Sequence, residues 1–152
     1  MKFDKNKVLS ASLLMLTGIA VTVVSADDWP HWGHDSSRNM TATSKNIPVD
    51  INPGKFKAKS EDVDLATTKN VKWVAKLGSQ SYGNPTISKG KVFVGTNNET
   101  PRSKKYKGDR ACVYCLDEKT GELIWQFNSP KLGTGKVSDW EYLGICSSPT
   151  VD

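Results

Sequence analysis

With 152 residues, 24% of them charged and a formal net charge of +5, the chain has room for one ordinary domain. The first 26 residues carry Lys2, Lys5, Lys7 and Asp4, so setting them aside leaves a net charge of +3 over roughly 126 residues. So mild a surplus, scattered as single lysines among polar residues, describes a solvated surface and argues against a nucleic-acid-binding face.

In chain order, the three lysines precede an uncharged apolar run over 8–24 that ends in Val24-Ser25-Ala26, the layout of a secretory signal. Segment 1–26 is therefore expected to be removed, leaving Asp27-Asp28 at the start of a periplasmic or secreted product with no membrane span. The competing reading is an uncleaved anchor, but the run is at the short limit for a span and Ser10, Ser12, Thr17, Gly18 and Thr22 dilute it. No cysteine lies near the cut to carry a lipid.

Residues 27–70 are polar and punctuated by Pro30, Gly33, Pro48, Pro53 and Gly54, which predicts an irregular arm with Trp29 and Trp32 as its apolar anchors. His31, His34 and Asp35 lie in this arm; with no fourth ligand nearby, packing or exposure is favoured over a metal site. From residue 71 short β-type runs take over, at 71–77, 86–88, 91–96, 111–117 and 123–127. Lys89-Gly90 between two such runs predicts a tight hairpin, and Asp117-Glu118-Lys119-Thr120-Gly121 predicts a second one. Residues 97–110, with Pro101, Gly108 and five basic side chains, read as an exposed loop; the Arg102 to Lys107 run within it fits a soluble surface better than a grip on an acidic partner. Asn39-Met40-Thr41 and Asn98-Glu99-Thr100 match the glycosylation pattern, though Pro101 follows the second.

An internal echo runs through this region. Val71-Lys72-Trp73-Val74 followed by Gly83-Asn84-Pro85-Thr86-Ile87 matches Leu123-Ile124-Trp125-Gln126 followed by Ser147-Ser148-Pro149-Thr150-Val151. The tryptophans are 52 positions apart and the prolines 64, so the unit is about 40 to 50 residues plus insertions, the length of a four-stranded propeller blade.

Cys115-Leu116-Asp117-Glu118-Lys119-Thr120-Gly121-Glu122-Leu123-Ile124-Trp125 resembles the tryptophan-docking motif of the pyrroloquinoline-quinone-like (PQQ-like) β-propeller family: alanine, any residue, aspartate, two residues, threonine-glycine, three residues, tryptophan. Asp117, Thr120, Gly121 and Trp125 match, and Cys115 replaces the alanine, one small residue for another. The phrases at 83–87 and 147–151 look like blade starts of this family, and Asp28-Trp29-Pro30-His31-Trp32-Gly33 is similar to the opening of bacterial secreted, planctomycete-type members. The resemblance covers residues 28–38 and 70–152. It implies an all-β propeller of six to eight blades, of which 71–152 supplies one complete antiparallel blade and parts of two neighbours. A single blade would expose both faces and an edge, so this chain alone is expected to aggregate, to belong to a longer product or to be completed by other copies.

Three cysteines, Cys112, Cys115 and Cys146, allow at most one bridge. Cys112 and Cys115 have the spacing of zinc, redox or haem sites, but Leu116 stands where haem attachment needs histidine, and zinc would lack a second ligand pair. Three apart on a strand, the two thiols face opposite sides, so structural thiols are favoured, a bridge from Cys146 to one of them, such as Cys112, comes next, and metal or redox work last. No nucleophilic triad, phosphate loop or carboxylate pair can be assigned. Two functions fit: a non-catalytic binding or scaffold module, partnered by other proteins or further blades, or the N-terminal piece of a quinoprotein alcohol or sugar dehydrogenase using PQQ and calcium. No residue here maps onto a PQQ or calcium site, and the adjacent cysteine pair of methanol-dehydrogenase-like members is absent.

Overall fold

The computed structural model describes residues 27–134 and 139–152; the expected export signal at 1–26 lies outside them. The described chain is all-β with one short 3-10 turn. A two-stranded hairpin pairs β1 (Lys55–Phe56) with β2 (Val63–Asp64). A four-stranded antiparallel sheet follows, in which β3 (Thr86–Ser88), β4 (Lys91–Asn97), β5 (Arg110–Asp117) and β6 (Leu123–Pro130) lie in sequence order.

The turns set this order. Lys89 and Gly90 both take positive φ, 50° and 74°, which gives the two-residue turn whose twist matches its flanking strands. Pairing then runs from Thr86 opposite Phe93 to Ser88 opposite Lys91. Between β5 and β6 the register slips at Cys115/Leu116, so that Trp125 lies opposite Cys115 while Leu123 lies opposite Leu116. This bulge leaves Ile124 as the extra residue.

Alternation divides the sheet into two faces. On the first, Val92, Val94, Cys112, Tyr114 and Leu116 are buried and form the core, covered by Trp73, Ala75, Leu77, Ile87 and Leu123. Burying a valine or leucine such as Val94 or Leu116 stabilises by about 1.5–3 kcal/mol relative to exposure. The second face carries Phe93, Val113, Cys115, Trp125 and Phe127, and of these Cys115 is buried while Trp125 and Phe127 are 45% and 55% exposed.

Three expectations are corrected. Residues 71–77 do alternate, with Trp73, Ala75 and Leu77 turned to the core and Lys72, Val74 and Lys76 exposed, but they form no strand. Among the described residues no main-chain hydrogen bond to another main-chain group reaches them, because no strand lies alongside. The loop over 97–110 begins with two fully buried side chains, Asn97 and Asn98. The Asn97 amide accepts from the N–H groups of Ser79 (3.1 Å) and Glu99 (3.0 Å) and donates to Ser79 Oγ (2.9 Å), while Asn98 donates to the carbonyls of Tyr106 and Gly108, each at 3.0 Å. These bonds fasten the end of β4, where the three-residue β3 no longer runs beside it. In the arm, Trp29 is an anchor, pairing its backbone with Ile87 in both directions, but Trp32 is 55% exposed. The arm also holds the β1–β2 hairpin and a 3-10 turn, Leu65–Thr67, capped by the Asp64 carboxylate, which accepts from the Ala66 N–H. No helix among the described residues is long and apolar enough to cross a membrane.

Candidate interface between the repeated segments

The β5–β6 turn is built around one carboxylate. Asp117 Oδ1 accepts from the N–H of Lys119 (2.9 Å), the N–H of Thr120 (2.8 Å) and the Thr120 hydroxyl (3.1 Å). The bond from the Thr120 main chain, more than any other influence, holds the Asp117 carboxyl below its ordinary value. The Gly121 N–H closes the turn on the Asp117 carbonyl at 2.8 Å, with Gly121 at φ 74°.

Trp73 sits on this turn. Its Nε1 donates to the Glu118 carbonyl at 2.8 Å, and a Cβ on Gly121 would stand 2.5 Å from indole Cε3 and 2.6 Å from Cδ2. Only a residue without a side chain leaves the indole room to lie flat against the backbone. Thus Asp117, Thr120 and Gly121 form one seat, occupied by Trp73, whereas Cys115 and Trp125 belong to the opposite face. There Cys115 lies beneath Trp125, whose ring is 6.0 Å from that of Phe93. Trp73 is the member of the seat that the motif alone does not reveal; its echo with Trp125 is the signal that marks it.

The two proline phrases also meet. The Asn84 N–H donates to Ser148 Oγ at 2.9 Å, and a Cβ on Gly83 would stand 2.5 Å from the Ser147 carbonyl oxygen. Two stretches 64 positions apart with matching residue order therefore lie side by side in matching register. Residues 144–151 continue along the second face, where Ile145 packs on Gly95 and donates its N–H to the Thr96 carbonyl at 3.3 Å. Between this stretch and the sheet remains a cavity of about 760 Å³ lined by Phe93, Val113, Trp125, Phe127, Pro149 and Val151 among others.

All three thiols are free, and the bridge from Cys146 to Cys112, the second choice of the sequence reading, is not formed. Cys112 belongs to the first face and is completely buried, while Cys146 is exposed on the stretch that crosses the second, so the sheet separates them. Burial pushes the Cys112 thiol up to about 11, and Asn128 Nδ2 donates to its sulfur at 2.9 Å. Cys115 is shifted the same way by burial. Both are poor nucleophiles and poor metal ligands at neutral pH, since the thiolate is the reactive form.

In the arm, His34 stacks on Trp29 with ring centroids 4.4 Å apart, and His31 Nδ1 lies 3.1 Å from the Trp32 carbonyl. Among the described residues no three His, Cys, Asp or Glu side chains converge. Part of the basic loop is spent internally: the Arg102 guanidinium donates to the Lys76 carbonyl and lies 5.8 Å from the Tyr114 ring centre, and Arg110 and Lys105 flank Tyr106. No family model matches the chain, and no curated protein or solved structure matches it significantly.

Proposed function

We propose that the chain is part of an exported PQQ-like β-propeller and acts as a non-catalytic binding or scaffold module. The observation that carries this reading is the side-by-side seating of the two proline phrases, joined through Asn84 and Ser148. Repeats that pack only on their neighbours in a fixed register are the building principle of propellers and solenoids. The four-stranded meander β3 to β6 then corresponds to one blade, 71–77 to the outer strand of the blade before it, and 147–151 to the start of the blade after it. The seat of Trp73 on the Asp117–Gly121 turn supplies the contact between consecutive blades, and Trp125 is its counterpart one repeat later.

A rigid set of short strands holding variable loops suits binding, and the strong sequence features found here serve that framework. Titration of the purified protein with pyrroloquinoline quinone and calcium, followed by dye reduction with alcohols and sugars, tests the non-catalytic part. Neither saturable quinone binding nor dye reduction is expected. Saturable binding with turnover would replace this reading by the dehydrogenase. Sizing the exported protein and sequencing its first residues tests the export part, with Asp27 expected at the N-terminus.

A further inference from the structure

The cavity of about 760 Å³ on the second face has two walls of different kinds. One is the sheet itself, through Phe93, Val113, Trp125 and Phe127; the other is the stretch 149–152. In that stretch Pro149 and Val151 are half-buried while Thr150 and Asp152 are exposed. Among the described residues it makes no main-chain hydrogen bond to the sheet. Two contacts from elsewhere hold it instead. The Val151 N–H donates to the Pro30 carbonyl at 2.9 Å, and Lys89 Nζ donates to the Asp152 carbonyl at 3.2 Å. Upstream, Ser148 is fixed by the Asn84 N–H and Ile145 by Gly95 and Thr96, so any movement of 149–152 pivots at Ser148. Pro30 in turn belongs to a short strap. Trp29 exchanges bonds of 2.7 and 2.9 Å with Ile87 on the otherwise free edge of β3, the Asp28 carboxylate accepts from the Lys89 N–H at 3.2 and 3.1 Å, and His34 stacks on the Trp29 ring.

We infer that residues 28–30 are a latch and 149–152 the flap it holds, and that the two open as one unit, uncovering the second-face cavity while β3 to β6 stay folded. The coupling lies in the bonds. Pro30 reaches Val151 only while Trp29 keeps its place on Ile87, so release of Trp29 from the β3 edge also frees Val151. Little else restrains the strap: of the arm residues 27–70 Gly33 alone is buried, whereas β4 and β5 bury Val92, Val94, Cys112, Tyr114 and Leu116. Segments with few buried contacts open at a fraction of the cost of unfolding the whole. In the open state Phe93, Trp125 and Phe127 meet water, and that unfavourable exposure returns the flap. The latch goes beyond the repeat reading. Where 147–151 begins a further blade, it sets how firmly the start of that blade is held.

Native-state amide hydrogen exchange on the purified protein, read residue by residue by nuclear magnetic resonance, tests the latch. The amides of Trp29, Ile87 and Val151 report on it, since each donates across it. They should share one opening, exchange at least about tenfold faster than the amides of β4 and β5, and change little in low urea, the mark of an opening smaller than global unfolding. Trp29→Ala removes the anchor of the strap without touching Val151, and should speed exchange at Val151 about fivefold or more with β4 and β5 unchanged. Binding of an anilinonaphthalene sulfonate dye should brighten about threefold in the same variant as the cavity is uncovered. Three unrelated rates, or exchange of all three together with β4 and β5 along the urea dependence of global unfolding, would overturn the proposal, and the unaltered protein decides this even if Trp29→Ala does not fold. A folded Trp29→Ala variant with unchanged exchange at Val151, or with no gain in dye fluorescence, would overturn it as well.

Discussion

Substituting Gly121 by alanine measures the seat of Trp73 directly, because Gly90 provides a matched control. Both glycines have φ 74°, but an added Cβ meets nothing within 4 Å at Gly90 and meets the indole at 2.5 Å at Gly121. Gly90→Ala should therefore cost the left-handed penalty alone, about 1–2 kcal/mol. Gly121→Ala adds displacement of the indole by about 1 Å to restore ordinary contact, an overpacking cost of about 1–3 kcal/mol. Loss of the Nε1 bond to the Glu118 carbonyl contributes about 1 kcal/mol more. The expected excess over the control is about 2–4 kcal/mol, or about 8–16 °C in Tm at about 4 °C per kcal/mol. Urea unfolding followed by tryptophan fluorescence and far-ultraviolet circular dichroism measures it. In a Trp73→Leu background the excess should shrink to about 1 kcal/mol or less, since the clashing atoms are gone. If the two glycine substitutions cost the same within about 0.5 kcal/mol, Trp73 does not bear on the turn in solution and the contact assigned between consecutive repeats is wrong.

Cys146 should react with a thiol reagent in the native protein while Cys112 and Cys115 react only on unfolding, as counted by mass spectrometry. Because burial raises the Cys112 thiol from 9.0 to about 11, the folded state holds that proton more tightly; the resulting stability is intact below pH 9 and is lost as pH rises towards 11. Cys112→Ala should flatten that alkaline limb of the unfolding curve. Asn97→Ala removes the acceptor of the Ser79 and Glu99 N–H groups and should destabilise by about 2–4 kcal/mol in urea unfolding, against about 0.5 kcal/mol or less for the exposed Asn84→Ala.

Much of the sheet is legible from local chemistry. Lys89-Gly90 and the Asp117 to Gly121 turn each prescribe their own backbone, and β4, β5 and β6 follow from the apolar runs beside them. What could not be read depends on partners distant in the chain. Alternation in 71–77 records which way the side chains point and is silent on whether another strand lies alongside. Asn97 and Asn98 stand at the head of a polar, basic stretch and look exposed; they are buried because the Asn97 amide holds residue 79 against the end of β4 and the Asn98 amide closes the loop on the Tyr106 and Gly108 carbonyls. The turn motif names Asp117, Thr120 and Gly121, but the ring that fills their seat comes from Trp73, and only the echo between Trp73 and Trp125 hints at it.

The short pairing at Trp29 and Pro30 has a consequence for the order of folding. Trp29 exchanges two main-chain hydrogen bonds with Ile87, and the Pro30 carbonyl receives the N–H of Val151, so one dipeptide ties the edge strand β3 to residues at nearly the far end of the described chain. The β3–β4 and β5–β6 hairpins close between near neighbours and can form as soon as their turns exist, whereas this knot must wait for almost everything else. Contacts of such long sequence separation form late and slowly. In a chain delivered one end first, the segment that emerges earliest would be the last to settle, and it would lock the assembled sheet from behind.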